Sequence, residues 1–430
     1  MPMSLTFVML LALLLIGAPV GMAFAVAAFQ YAVLVGIPIS TLASIPYEAV
    51  NSFALLAIPL FLFMGELMQR GALADQIFGT VNRAIQRFRY SVGYVVIGTC
   101  AFMGAITGSS VATVSAVGKI ITKPMRERGY PLGYVGALTA SAGLLGVLIP
   151  PSIPLIIYGS TAGVSVTTLF LSAMVPGIVF VLAFAVTHRV MAPRVLANGS
   201  ETEPDTGHRA LGDRTSQVSL KGALAALALP VIVLGGIYGG IVTPTEAAAV
   251  GCVYALVSFA LHHRTDWSPY RAAIVGGAVS AAVVLAILAF ASIFNRALVL
   301  QDVPNQLAIM ALGVTTDPHV FLLSVTLVLF LMGMFMETNT AVLLMAPLFA
   351  PVAQRFGIDP LHFGVLMVTV IELGLITPPM ASNVFVATKA TGASIPALMR
   401  HLWPFLLSAV VIVFVILFLP QLTTWPNLLK

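Results

Sequence analysis

Apolar stretches alternate along the chain with short polar or basic breaks, and that alternation predicts helices. A helix needs about 20 apolar residues to cross a bilayer, fewer where protein shields it. On that pattern Leu5–Ala18 and Val20–Ile37 are two spans hinged at Gly17-Ala18-Pro19, or one long kinked helix. Ser52–Gln69, Leu169–Val190, Gly222–Ile241, Ala247–His262, Ala272–Phe294 and Leu402–Leu419 are further spans. Gly71–Tyr90 is different. It sets Leu73, Ile77, Val81, Ile85 and Phe88 on one face, with Arg83, Arg87 and Arg89 off it, as in a helix lying flat at the interface. Asn295–Leu312 is the matching interfacial segment further on, and Ala192–Lys221 is a long polar, mobile linker.

Two of the apolar stretches are interrupted in the same way. Leu132–Tyr158 contains Pro150-Pro151, and Leu361–Thr388 contains Pro378-Pro379. No continuous helix accepts a Pro-Pro, because proline lacks the N–H and clashes with the preceding turn. The breaks are copies: Gly146-x-x-x-Pro150-Pro151 matches Gly374-x-x-x-Pro378-Pro379, 228 positions on, and Gly129 pairs with Gly357 at the same offset. Upstream, Gly104-AITGSSVA pairs with Gly333-MFMETNTA, 229 positions on. A lone Pro-Pro is a kink. Two in one offset and one set of flanks point to a duplicated unit, and broken helices in matching halves mark a transporter's binding site.

Each copy also contains a stretch too short to span twice. Val92–Lys123 has Arg83, Arg87 and Arg89 before it, Lys119, Lys123, Arg126 and Arg128 at and beyond its end, and the small polar run Thr107-Gly108-Ser109-Ser110 in its middle. Basic flanks on one side imply a re-entrant hairpin with its tip at mid-membrane. His319–Gln354 is the second hairpin, with Met336-Glu337-Thr338-Asn339-Thr340 at its tip. If the first hairpin opens to the cytoplasm, 17 of the 20 Lys and Arg lie inside, all but Arg296, Arg355 and Lys430. Five spans then intervene before the second hairpin, which opens to the other side. The expectation is an all-α polytopic membrane protein with two inverted-topology repeats, residues 1–191 and 222–430, joined by a cytoplasmic linker at 192–221.

Composition agrees. Of 430 residues, 59% are hydrophobic and only 8% charged, where a soluble domain carries roughly 25% charged. The net charge of +5 sits in short loops, so it reads as topology and not as a nucleic-acid face. Cys100 and Cys252 lie in apolar runs and read as packing residues. The first 18 or so residues lack a basic start and an A-x-A cleavage site, and read as a span and not as a signal peptide. No phosphate loop, nucleophile elbow or zinc spacing occurs, so the chain is not read as an enzyme.

The candidate chemistry gathers at the tips and breaks. Helix N-termini attract carboxylates, and unwound carbonyls coordinate Na⁺. One site joins Ser109 and Ser110 with Pro150, Pro151 and Ser152. Its counterpart joins Thr338, Asn339 and Thr340 with Thr377, Pro378, Pro379, Met380 and Asn383. Their hydroxyls, amides and carbonyls are hard donors, suited to Na⁺ and not to a transition metal. Gly108, Ser110, Pro151, Asn339, Pro379 and Asn383 are the candidates for contact with an organic anion; the others of these residues, with Ser110 and Asn339, are the ion ligands. Glu337 and Glu372 are possible coupling carboxylates, since ionisable residues inside spans are functional suspects. Glu372 reads equally well as half of a structural pair. Glu66 and Arg70 read as a surface ion pair, and Glu246 as a helix cap after Thr243-Pro244-Thr245.

These segments resemble the large membrane subunit, DctM type, of tripartite ATP-independent periplasmic (TRAP) transporters. GSSVA, GYPLGY, GVLIPPSIPLIIYG, GIYGGIVTPTEAAAVG, GMFMETNTA, GIDPLHFGV and GLITPPMASNVF follow the family's motifs in the family's order over nearly the whole chain. One departure is Ala381, where the family usually has Gly two residues after TPP. The resemblance implies an elevator-type, Na⁺-driven importer of a small organic acid in the bacterial inner membrane, without an organic cofactor. It implies two partners, a small membrane subunit (DctQ type) and a periplasmic substrate-binding protein (DctP type). The alternative is a stand-alone Na⁺- or H⁺-coupled symporter of the same superfamily.

Overall fold

The computed structural model describes residues 2–38, 40, 44–70, 73–197, 220–262 and 268–429, so most of the linker lies outside it. The described residues are helical, with no strand among them. Helix ends fall where local chemistry demands them. Gly17, at φ 81°, separates Pro2–Leu15 from Val20–Val35, so the N-terminal region forms two short helices packed on each other and not one kinked rod. Ala57–Arg70 is shorter than the span expected at Ser52–Gln69, because residues 53–56 form a turn. Proline is tolerated early in a helix, where its missing N–H has no partner to lose, and Pro59 sits in this first turn.

Three boundaries move. The amphipathic helix is Leu73–Ile85, and it buries Ile77, Phe78 and Val81. Phe88, expected on that face, is exposed, because the helix has ended before it and the backbone turns. The span expected to stop at Phe294 runs on as Ser268–Leu300, and the interfacial helix is Val303–Val314. No breaker interrupts that run until Asp302, which takes a left-handed φ of 53° before Pro304. Val166–Ala197 likewise extends well past Val190, through Pro193. The two local polar readings agree with the structure: Arg70 Nε donates to Glu66 at 3.0 Å, and Glu246 accepts from the Thr243 N–H at 2.8 Å.

The first hairpin consists of Ser91–Thr107 and Ser110–Arg126, and the second of Pro318–Phe335 and Thr338–Arg355. The first broken helix runs Leu132–Ala142, Leu145–Leu148, then Ile153–Ala162; the second runs Pro360–Gly374, then Ser382–Thr391. Both Pro-Pro bonds are cis. These pieces interlock reciprocally. The second limb of the first hairpin packs on Ser382–Thr391, and the second limb of the second hairpin packs on Ile153–Ala162. In each copy the first limb crosses its own broken helix at paired glycines. A side chain on Gly104 would strike the Leu145 carbonyl and Gly146, and one on Gly374 would strike Gly333 and the Met334 nitrogen.

Burial separates an inner group from an outer one. The stretch Leu132–Ala162 is long and apolar enough to cross a membrane, yet 94% of its apolar window is buried. Irregular backbone at membrane depth is tolerated where it is buried in protein, as here, or where it lines a water-filled cavity. Ser268–Leu300 is of similar length but only 22% buried. It packs on Val20–Val35 and Ala57–Arg70 and turns Val275, Val279 and Val283 outward as an apolar stripe of the kind that lipid covers.

Candidate functional site

The first tip is built from local hydrogen bonds. Gly108, at φ 59°, closes Ser91–Thr107 by donating its N–H to the Gly104 carbonyl, a conformation L-residues resist. Ser109 then opens the next helix, its Oγ accepting from the Ala112 N–H at 3.4 Å. Thr113, which the sequence did not single out, donates its hydroxyl to the Ser109 carbonyl at 2.9 Å and lies 3.1 Å from the Thr107 hydroxyl. The tip meets the first break directly. The Ile153 N–H donates to the Gly108 carbonyl at 3.5 Å, and the Pro151 carbonyl fills the space a side chain on Gly108 would need. Ser109 and the Pro150-Pro151-Ser152 break are therefore neighbours. Ser152 is fully buried and its hydroxyl has no hydrogen-bond partner.

The second tip is capped by a carboxylate. Glu337 accepts from the backbone N–H of Asn339 at 3.0 Å and of Thr340 at 3.4 Å, and from the Asn339 side-chain amide at 2.7 Å. Asn339 and Thr340 thus face Glu337, and no hydrogen bond among the described residues ties them to the second break. Thr377 returns its hydroxyl to the Leu373 carbonyl at 3.0 Å. Asn383 is buried at the start of Ser382–Thr391, with both side-chain polar atoms unpartnered. An unsatisfied buried amide is costly.

The two tips converge where the sequence did not place them together. Thr338 donates its hydroxyl to Glu372 Oε1 at 2.6 Å, and the Ser110 hydroxyl of the other hairpin faces the same carboxyl group. Glu372 is completely buried, and its Oε2 makes no well-formed hydrogen bond. Glu337 lies close enough to repel it and is exposed. The two breaks differ in the same sense. Pro150, Pro151 and Ser152 are sealed, whereas Pro378, Pro379 and Met380 are exposed.

A second buried polar cluster sits at the base of the first hairpin. His188 lies 2.7 Å from the Tyr134 hydroxyl and 3.0 Å from the Tyr90 carbonyl, its ring filling the space left by Gly93. No sequence spacing pairs His188 with these residues, since Tyr90 and Gly93 start Ser91–Thr107, Tyr134 lies in Leu132–Ala142 and His188 in Val166–Ala197.

Known proteins share this chain's sequence and fold. The family model described as "Tripartite ATP-independent periplasmic transporter, DctM component" matches residues 7–422. The isethionate TRAP transporter permease protein DctMQ of Oleidesulfovibrio alaskensis is 33% identical over 98% of this chain, which spans 66% of that protein's length. The C4-dicarboxylate TRAP transporter large permease protein DctM of Pseudomonas aeruginosa is 35% identical over 88% of this chain and 87% of its own. The sialic acid TRAP transporter large permease protein SiaM of Vibrio cholerae is 31% identical over 96% and 95%. Among solved structures, the YdaH transporter of Alcanivorax borkumensis shares the fold, with a TM-score of 0.63, 18% identity and 88% of each chain covered. The chain belongs to the DctM component family of the tripartite ATP-independent periplasmic transporters, and is a multi-pass membrane transporter component and not an enzyme.

Proposed function

We propose that this chain is the large transmembrane subunit of an importer of a small organic acid, driven by Na⁺ and working by an elevator movement in the bacterial inner membrane. The observation that carries the reading is the interlock. Each hairpin is packed on the other copy's broken helix, with hydroxyls, an amide and a carboxylate buried along the seam and several of their atoms unpartnered. Such buried polar groups are functional features of a membrane protein's interior. The halves 1–191 and 222–430 are mounted in opposite orientation, which the distribution of Lys and Arg supports.

In this reading Ser109, Ser110, Pro150 and Ser152 ligate one Na⁺. Thr338, Asn339, Thr340, Thr377, Pro378 and Met380 ligate another, through hydroxyls, amide and backbone carbonyls. Gly108, Ser110, Pro151, Asn339, Pro379 and Asn383 face the anion, and Glu337 and Glu372 contribute to coupling. The relatives are named for isethionate, C4-dicarboxylate and sialic acid, all small organic acids, and this supports the substrate class. A small membrane subunit and a periplasmic binding protein complete the assembly; the fused name DctMQ supports the first partner.

The test is uptake of radiolabelled organic acids into proteoliposomes holding this chain, its small subunit and its binding protein, with Na⁺ and H⁺ gradients imposed separately. Uptake should require the inward Na⁺ gradient and both partners. Ser110→Ala or Asn339→Ala should weaken uptake and its Na⁺ dependence without loss of expression. Uptake that persists without the partners supports the stand-alone symporter instead, and unchanged Na⁺ dependence in both variants defeats the ion sites.

A further inference from the structure

We infer that the headgroup of an anionic phospholipid docks at the base of the first hairpin, on the guanidinium groups of Arg89, Arg128 and Arg189. The inference needs only a membrane-spanning chain and stands apart from the ion coupling proposed above.

Three segments bring arginine to one place. Arg89 just precedes the hairpin's first limb, Arg128 follows its second limb, and Arg189 lies on Val166–Ala197. The Arg89 and Arg189 guanidinium carbons approach the same Tyr90 ring, 5.0 and 5.6 Å from its centroid. Arg128 donates to the hydroxyl of the next residue, Ser91, at 3.3 Å. Arg89 and Arg189 are exposed, and among the described residues no carboxylate pairs with either. Like charges gathered in this way repel one another, and an anion between them relieves the repulsion. Sidedness asks for basic residues somewhere in these loops. It does not ask that arginines from three segments meet. Nor does a hairpin of this kind require them: at the offsets of 229 and 228, the second copy has Pro318 and Phe356 in place of Arg89 and Arg128.

The surroundings favour a lipid over a free anion. Leu182, Val186 and Arg189 follow one another four and three residues apart, so an apolar stripe of the helix leads up to the arginine. Leu182 and Val186 are 60% and 64% exposed. Phe88, which leaves the buried face of its helix, is next to Arg89 in the chain and 64% exposed. Acyl chains cover such side chains, and the headgroup they carry then meets the guanidinium groups. Arginine suits that role, because its planar fork takes two phosphate oxygens at once. Basic pockets between membrane helices hold anionic headgroups in this manner. A headgroup bound here joins the base of the hairpin to Val166–Ala197.

The experiment is native mass spectrometry of the full chain, purified in detergent and titrated with dioleoylphosphatidylglycerol or with dioleoylphosphatidylcholine, which has the same acyl chains and no net charge. Wild type should bind the anionic lipid at least tenfold more tightly. Arg89→Gln/Arg189→Gln should bring the two lipids within twofold of each other. Arg271→Gln, which removes an exposed arginine from the outer helix Ser268–Leu300, should keep the preference. No preference in wild type, or an undiminished one in the double variant, overturns the site. If the double variant does not fold, the two single variants decide, and an undiminished preference in both overturns it. Millimolar inorganic phosphate should leave lipid binding unchanged; displacement of the lipid would assign the arginines to a free anion instead. A preference that disappears when the small subunit is co-purified would assign this face to that protein and likewise overturn the inference.

Discussion

At the scale of single residues, Ala381 shows how far a motif can be read. Its place in TPPMASN is where the related pattern carries Gly, and the structure gives the reason: the residue takes φ 40°, before helix Ser382–Thr391. A Cβ in the left-handed region costs roughly 1–2 kcal/mol, and glycine gives back part of that through its freer unfolded chain. Ala381→Gly should therefore stabilise the protein by up to about 1 kcal/mol, raising its thermal midpoint in detergent; a lowered midpoint would show that the Ala381 methyl packs better than its backbone strains. Glu372 was legible as a suspect because it is an acid inside a span. Its partners were not. Ser110 belongs to the other repeat, and no periodicity relates a hydroxyl in one hairpin to a carboxylate in another's broken helix.

At the scale of elements, the paired glycines explain the crossings. Gly104 with Gly146 and Gly333 with Gly374 let each hairpin's first limb approach its broken helix backbone to backbone, as small residues do between membrane helices. The neighbours at Gly374 are backbone atoms, which cannot rotate away. Gly374→Ala should then cost about 1–3 kcal/mol, the usual penalty for overpacking. Gly235 makes a fair contrast, since a Cβ there meets nothing within 4 Å inside helix Leu220–Tyr238. Gly235→Ala should be neutral or stabilising by up to about 1 kcal/mol from helix propensity. Thermal unfolding of both variants checks the pair, and equal melting points would dismiss the close crossing. Helix ends were least legible where nothing in the local sequence forces a stop, as between Phe294 and Leu300, and most legible at Gly17 and at the two Pro-Pro breaks.

At the scale of the whole molecule, the outer helix Ala57–Arg70 touches the first hairpin at its tip. A Cβ on Gly65 would lie 3.7 Å from that of Thr107, within the range of a disulfide. If the hairpins and broken helices slide past the outer helices, bridging this contact must stop them. The Gly65→Cys/Thr107→Cys pair should lose uptake when oxidised and regain it on reduction, with the reduced form as control. Uptake that is undiminished after oxidation, with the cross-link shown by mass spectrometry, would mean that no sliding occurs there.

The amino-acid sequence by itself determined the helical segments, the two breaks, the polar tips and their common offset. Apolar periodicity and proline stereochemistry act over a few residues, and a duplication keeps its spacing wherever the chain runs. Only the tertiary structure decided that the tips meet at Glu372, that each hairpin lies on the other copy's broken helix, that Phe88 leaves its helix face, and that one break is covered while the other is open. Those outcomes depend on which distant surfaces fit against each other, and close packing between segments hundreds of residues apart leaves no mark in local pattern.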